Sequence, residues 1–232
     1  MNMVFIYYEN PLMLARQIEC WNSYVGELNP LPEVLLVDDG SPKAHAVDIV
    51  LQNRCQLPIK VFRIKEDIPW NMPGARNLGC LNAEEWIYMS DIDTLLPAPE
   101  AKKFFSVQPL DNNNFYMPKR VWQPDFVPAA RAQVNLLFHK SKYLETGGYD
   151  EDYSGAYGKE DTDFYCRLRN LAVENLRSEV VVQAVPPEII EDARTIGLSR
   201  DKLTNARLFE HKLARGFPRP TSLLRFSWER VI

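Results

Sequence analysis

The feature that most constrains this chain is an alternation. Four short, strongly apolar runs, "MVFIYY", "EVLLVDDGS", "IKVFRI" and "EWIYMSDID", are each followed by a stretch of helical spacing: "PLMLARQIECWNSYV", "AHAVDIVLQN", "GARNLGCLNA" and "APEAKKFFSV". Strands that are apolar on both sides must be covered on both faces, and helices between successive strands make those strands parallel. The pattern predicts an α/β fold of Rossmann-like type, a mixed, mostly parallel sheet flanked by helices. After about Asp111 the pattern changes. "DNNNFYMPKRVWQPDFVP" reads as irregular or antiparallel, "AQVNLLFHK" and "SEVVVQAV" as strands, "EDTDFYCRLRNLA" as a helix, and "SRDKLTNARLFEHKLARG" as a basic helical tail. No Gly/Ser linker or repeat divides the 232 residues, so one domain over 1–232 is expected.

In such sheets ligands bind outside the carboxyl ends of the strands. Two acidic motifs stand there. In "SDID", Asp91 and Asp93 flank Ile92, and in a regular strand residues two apart point to one side, so both carboxylates can meet one cation. An oxygen-rich pair suits Mg²⁺ or Mn²⁺. The plainer alternative has Asp93 capping the segment that starts at Thr94. In "VDDGS", Asp38 and Asp39 can accept from a base edge or ribose hydroxyls while Gly40 makes the turn, and Asp-Gly-Ser-Pro is equally good turn chemistry with no ligand. "WNMPGARNLG" puts Pro73 and Gly74 at a helix start, where free amides and Arg76 can meet a phosphate or ribose. It is neither a Walker loop nor a dinucleotide fingerprint.

A third motif, "YGKEDTDFYCRL", groups Glu160, Asp161 and Asp163 ahead of Phe164, Leu168 and Leu171, which lie at core-facing helical spacing. Acids there stabilise a helix N-terminus. The preceding "GGYDEDYSGAYG", rich in glycine and tyrosine, resembles a saccharide platform, and a carboxylate beside it is placed to act as a general base.

Charge excludes some functions and leaves others open. A net charge of -4 argues against coating nucleic acid. From Gly197 to Ile232, however, eight Lys/Arg face three acids. That basic segment, ending in "TSLLRFSWERVI", fits either a solvated helix face or an anionic acceptor or membrane interface. No apolar run reaches bilayer length and the N-terminus does not read as a leader, so a cytoplasmic protein with at most peripheral membrane contact is expected. Cys20, Cys55, Cys80 and Cys166 lack metal or redox spacing and read as free thiols.

Taken in order, "VDDGS", "PGARNLG", "SDID" and "GGYDE…YGKEDTDF" resemble the nucleotide-sugar-dependent glycosyltransferases of GT-A fold, above all the inverting family-2 type. The last block is also similar to that of the β1,4-galactosyltransferases and chondroitin-polymerase domains, with Tyr157 where the galactosyltransferase block has tryptophan. The resemblance implies a nucleotide-sugar-binding half (1–96), an acceptor and catalytic half (97–196) and the basic tail (197–232). It implies a donor, a UDP-sugar first, held by Tyr7, Tyr8, Asp38, Asp39, Asn71, Arg76 and Asn77, and Mn²⁺ or Mg²⁺ held by the Asp91-Ile92-Asp93 motif. Asp161 would be the base, with Glu160 orienting it or the acceptor, and Gly147, Gly148, Tyr149, Tyr157 and Gly158 would receive a glycan or other hydroxyl acceptor. Nucleic acid enters only as a modified-base acceptor. The histidine that many relatives add as a metal ligand is missing from "VVVQAVPPE", leaving Gln183, Glu188 or His211 as substitutes; His45 and His139 read as structural or surface residues. Two other readings keep the same fold: a nucleotidyltransferase and a catalytically silent glycan-binding protein.

Overall fold

A computed structural model describes residues 1–106, 110–130, 133–195 and 197–232. The ends of two expected elements, Val107 of "APEAKKFFSV" and Ala132 of "AQVNLLFHK", lie outside the described residues. The first half runs β1 (Asn2–Tyr7), α1 (Pro11–Asn22), β2 (Glu33–Asp38), α2 (Ala46–Gln52), β3 (Ile59–Ile64), α3 (Met72–Asn82), β4 (Trp86–Asp91), β5 (Thr94–Leu95) and α4 (Ala98–Phe105). The second half adds β6 (Asn114–Trp122), β7 (Val127–Pro128), β8 (Leu136–His139), α5 (Lys140–Thr146), α6 (Glu160–Arg169), β9 (Val173–Ala184), α7 (Leu203–Ala214) and β10 (Trp228–Arg230). All strands join one sheet in the order β10-β3-β2-β1-β4-β8-β6-β9-β5, with β7 on β6. The centre, β3-β2-β1-β4, is parallel, as the continuous apolar runs require. The long β6–β9 pair is parallel too, whereas β8 is antiparallel to both β4 and β6.

Alternation along each central strand feeds two cores. Met3, Phe5, Tyr7, Val34 and Leu36 face α1, α2 and α4, meeting Leu14, Ile18, Trp21, Val50 and Phe104. Val4, Ile6, Leu35 and Val37 face α3, α5 and α6, meeting Leu78, Tyr143, Phe164 and Leu168. Each fully buried large apolar side chain contributes about 1.5–3 kcal/mol, so this double covering fixes the strand order. On α3, a β-carbon at Gly79 would sit 2.5 Å from Val4 Cγ1. Only glycine lets the helix carrying Arg76 lie this close to β1.

The C-terminal segment departs from expectation. The helix is shorter than its spacing predicts, because Gly216 takes φ +71° and Pro218 and Pro220 cannot extend it. The chain then turns back to β10, antiparallel to β3. Leu224 and Phe226 pack on the second core, and the Trp228 ring lies 5.9 Å from Phe62, edge to face. Leu224 and Phe226, which could have served a membrane interface, are thus partly buried against the fold, while Trp228 keeps 39% of its surface exposed. Among the described residues no helix is long and apolar enough to cross a membrane.

Candidate active site

A cleft of about 330 Å³ opens at the carboxyl ends of β1 and β4, a volume at the lower end of small-molecule sites. Its floor is Arg76, 1% exposed, delivered by α3. Its Nη2 donates to Asp91 at 2.8 Å, Nη1 lies 3.9 Å from Glu160 and donates to Asp161, and its guanidinium sits 5.2 Å over the Tyr149 ring. Asp91 ends β4, Asp93 follows one turn residue later, and Glu160 and Asp161 open α6. Asp91 and Asp93 thus straddle a turn instead of continuing a strand, yet both line the cleft. Gln17 fixes that turn, its Nε2 donating to Ile92 O and Thr94 O at 2.9 and 2.7 Å.

Asp91, Glu160 and Asp161 share one buried guanidinium, and Asp93 lines the same cleft with Arg120, Arg194 and Arg200. Burial first, then Asp91, pushes the Asp93 carboxyl up to about 7. Burial also raises Glu160 and Asp161, Arg76 pulls both back, and Asp91 pushes both up, with Glu160 adding to the rise of Asp161. Asp161 keeps 27% of its side chain open to the cleft, so water moderates its shift. The Glu160 Oε2 atom is buried and has no hydrogen-bond partner among the described residues. Strain brackets the same place: Lys159, just before α6, and Trp70, just before α3, have φ of +79° and +51°.

This donor set suits a hard cation only in part. Asp91 and Asp93 supply oxygens, Asp91 already paired with Arg76, but among the described residues no three His, Cys, Asp or Glu converge on one point. An ion held here would take its other ligands from water or from a bound diphosphate, as Mg²⁺ commonly does. The substitute ligands lie elsewhere. Gln183 accepts from Gln123 Nε2, Glu188 lies in a groove against α1, and His211 is exposed on α7.

The other expected site residues divide. Tyr8, Ile92 and Tyr157 line the cleft. Tyr7 does not: it is fully buried, its hydroxyl donating to Ala44 O. Asp38 is taken up by the backbone, accepting from Ser41 N and Ala46 N at 2.9 Å each. Asp39 is buried with its carboxyl raised by burial, accepts from Asn71 Nδ2, and lines a side pocket with Tyr8, Trp70, Met72, Thr195 and Leu198. Asn77 lies beneath the site, bonded to Tyr149, Tyr143 and Glu151.

Of the expected acceptor platform, only Tyr157 reaches the cleft. Tyr149 stacks on Phe164 at 4.3 Å and presents only its hydroxyl to Asp161. Gly147 and Gly148 form the left-handed end of α5, against Arg219 and Tyr143, and Gly158 takes φ +89° ahead of Lys159 with open space around it. "GGYDEDY" instead docks the C-terminal segment. Lys212 pairs with Asp150 and Asp152, and Glu151 accepts from Leu224 N and Arg225 N at 2.7 and 3.0 Å.

Several cleft residues carried no signal by spacing: Trp70, Arg120, Trp122, Arg194 and Arg200. Arg120 and Trp122 sit in the segment whose only mark was aromatic and basic content. Arg194 and Arg200 belong to the strap between β9 and α7, and both line the cleft. Arg200 covers Trp70 and Tyr157 at 5.4 and 5.5 Å, and Trp70 Nε1 donates to Ser199 O. Asp192 roots the strap by accepting from Leu12 N and Met13 N at the start of α1.

No family model and no curated protein matches this sequence. Solved structures do. S. aureus TarS 1–349 in complex with UDP-GlcNAc aligns with TM-score 0.64 at 13% identity, over 93% of this chain and 72% of that one. Mannosyltransferase PcManGT from Pyrobaculum calidifontis, in complex with GDP-Man and Mn²⁺, gives TM-score 0.60 at 15% identity, over 80% and 56%. GalNAc-T7 with UDP, GalNAc and Mn²⁺ gives 0.59 at 16%, over 80% and 43%. At such identities the likeness establishes the fold, which is GT-A.

Proposed function

We propose that this chain is a glycosyltransferase that moves a sugar from a nucleotide-sugar, a UDP-sugar first, to an acceptor hydroxyl with inversion. The observation that carries the reading is the convergence of Asp91, Glu160 and Asp161 on Arg76, with Asp93 lining the same cleft. The fold's likeness to enzymes solved with UDP-GlcNAc and GDP-Man supports it.

In this reading the base lies at the Tyr8 and Trp70 end of the cleft, next to the small recess that holds Asp39, and the diphosphate reaches toward Asp91 and Asp93. A divalent cation held by those two acids would neutralise charge on the leaving nucleoside diphosphate. Asp161 takes the proton of the attacking hydroxyl. Burial and its acidic neighbours make it a stronger base than a free aspartate, and Tyr149 and Arg76 orient it. Glu160, with its free oxygen, holds the acceptor hydroxyl or steadies Asp161. The clustering of Asp91, Glu160 and Asp161 on one guanidinium, with Glu160 Oε2 buried and unpartnered among the described residues, favours this reading over a silent glycan-binding protein.

The test is thermal unfolding with UDP, GDP, CDP and ADP, each with Mn²⁺ and with EDTA. A ligand at 100 times its dissociation constant adds about 2.7 kcal/mol, about 5–10 °C for a chain of this size. One nucleotide is expected to stabilise strongly, and only with Mn²⁺. No shift under any condition overturns the reading.

A further inference from the structure

Arg120 and Trp122 stand two residues apart on β6, on one side of the strand, and both line the cleft. The guanidinium lies 4.7 Å over the indole. The Arg120 Nε atom is buried, yet among the described residues it has no hydrogen-bond partner and the side chain has no acid at ion-pair distance. Its neighbour in charge is Asp93, which it pulls downward without contact. Arg76, Arg167, Arg177 and Arg225, by contrast, each hold a carboxylate within 3 Å. A partnerless guanidinium facing a cleft, in a chain of net charge -4, is a site for an anion brought from outside.

Topology says which anion. β6 is separated from β1 by β4 and β8, on the far side of the metal-type acids from the Asp39 pocket. A ligand there is not the base end of a nucleotide. An indole face takes the C–H face of a sugar ring, and a guanidinium stacked on that indole keeps its edge free for two-point binding of a carboxylate or phosphate. We propose that the acceptor is an anionic glycan, its acidic group on Arg120 and a ring on Trp122. The inference rests on the transferase reading for the word acceptor, but the subsite itself is testable without it. A uronate carboxylate and a phosphate ester share the required chemistry.

The experiment is calorimetric titration of the full chain with three matched oligosaccharides: a neutral glucan, a glucuronate-bearing one and a phosphate-bearing one. Nucleotide-induced stabilisation is measured alongside on the same preparations. A charge-assisted contact gives about tenfold or more in affinity, so one acidic probe is expected to bind at least about tenfold tighter than the neutral one. Raised salt should narrow the gap. Arg120→Gln should abolish the preference, Arg120→Lys should keep part of it, and Trp122→Ala should weaken all three probes. The unfolding midpoint of each variant shows that it folds. Equal binding of neutral and acidic probes by the unaltered chain overturns the proposal. So does an Arg120→Gln variant that keeps the acidic preference but loses nucleotide stabilisation, which would assign Arg120 to the diphosphate. If no nucleotide stabilises the chain while the acidic preference still depends on Arg120, the transferase reading fails and the anionic subsite stands.

Discussion

Two acidic clusters lie eight residues apart along the chain and look alike on paper: Asp150-Glu151-Asp152 and Glu160-Asp161. In space they differ in how their charge is met. The first is partnered throughout. Lys212 reaches Asp150 and Asp152, Arg225 reaches Asp152, and Glu151 takes two backbone amides and Asn77. The second shares one guanidinium with Asp91, has an unbonded oxygen on Glu160, and opens on a cleft. Acids that the fold satisfies hold the C-terminal segment in place; acids that it leaves unsatisfied are available to a ligand. The same amino acids serve structure or chemistry according to the cations the rest of the chain brings to them.

The sharpest way to break this contrast is to neutralise one member of each cluster. Asp161→Asn is expected to lower sugar transfer by about 10²–10⁴ while the unfolding midpoint stays the same or rises, because a repulsive charge has gone. A midpoint that falls while the transfer rate below it is unchanged would move Asp161 into the structural class. Lys212→Met should do the reverse. It strands Asp150, whose side chain is 4% exposed, and removing one partner of a buried pair costs about 3–5 kcal/mol. At about 2–4 °C per kcal/mol for a chain of this size, the midpoint should fall by about 6–20 °C, with nucleotide binding intact below it.

The clusters should also answer pH with opposite sign. In the site, folding holds protons on Asp93 up to about 7 and on Asp161 up to about 8, above the ordinary carboxylate range. The folded state there binds more protons than the unfolded one, so this contribution declines as pH rises from about 4 to about 8. Asp93→Asn should therefore raise the metal-free midpoint more at about pH 8 than at about pH 5. In the clamp, the hydrogen bond from Arg225 and the ammonium of Lys212 hold Asp152 below its ordinary value. That stability is present above the ordinary carboxylate range and is lost as pH falls through the lowered value, so the cost of Asp152→Asn should shrink toward about pH 3. Parallel pH responses would dissolve the distinction.

How much of this was legible beforehand follows from which forces are local. The parallel centre and its carboxyl-end acids could be read because strand burial and strand direction leave a pattern in nearby residues. The roles of "GGYDEDY" could not. Its glycines and tyrosines suggested a ligand platform, and the groups that claim it, Lys212, Leu224 and Arg225, are 60 or more residues away. Tyr7 and Tyr8 are adjacent, but β1 ends at Tyr7 in the core and the chain bends at Tyr8, which lines the cleft. Arg120 and Trp122 had no motif, since an unpaired cation is defined by what does not meet it in three dimensions.

The smallest effect refines the clamp itself. Arg225 and Lys212 both touch Asp152, but the Arg225 pair is 41% and 46% exposed while Lys212 and Asp150 are enclosed. An exposed pair contributes less than about 1 kcal/mol, because water screens the charges and both side chains lose freedom. Arg225→Ala should lower the midpoint by no more than about 4 °C, and raised salt should erase most of the difference. The backbone of Arg225 still donates to Glu151 in that variant, so the tail should stay docked. A loss as large as that of Lys212→Met would mean that the tail is held by its exposed charge, with enclosure contributing little. The rule that burial, more than proximity, decides which acids are structural would then fail at the place where it is easiest to measure.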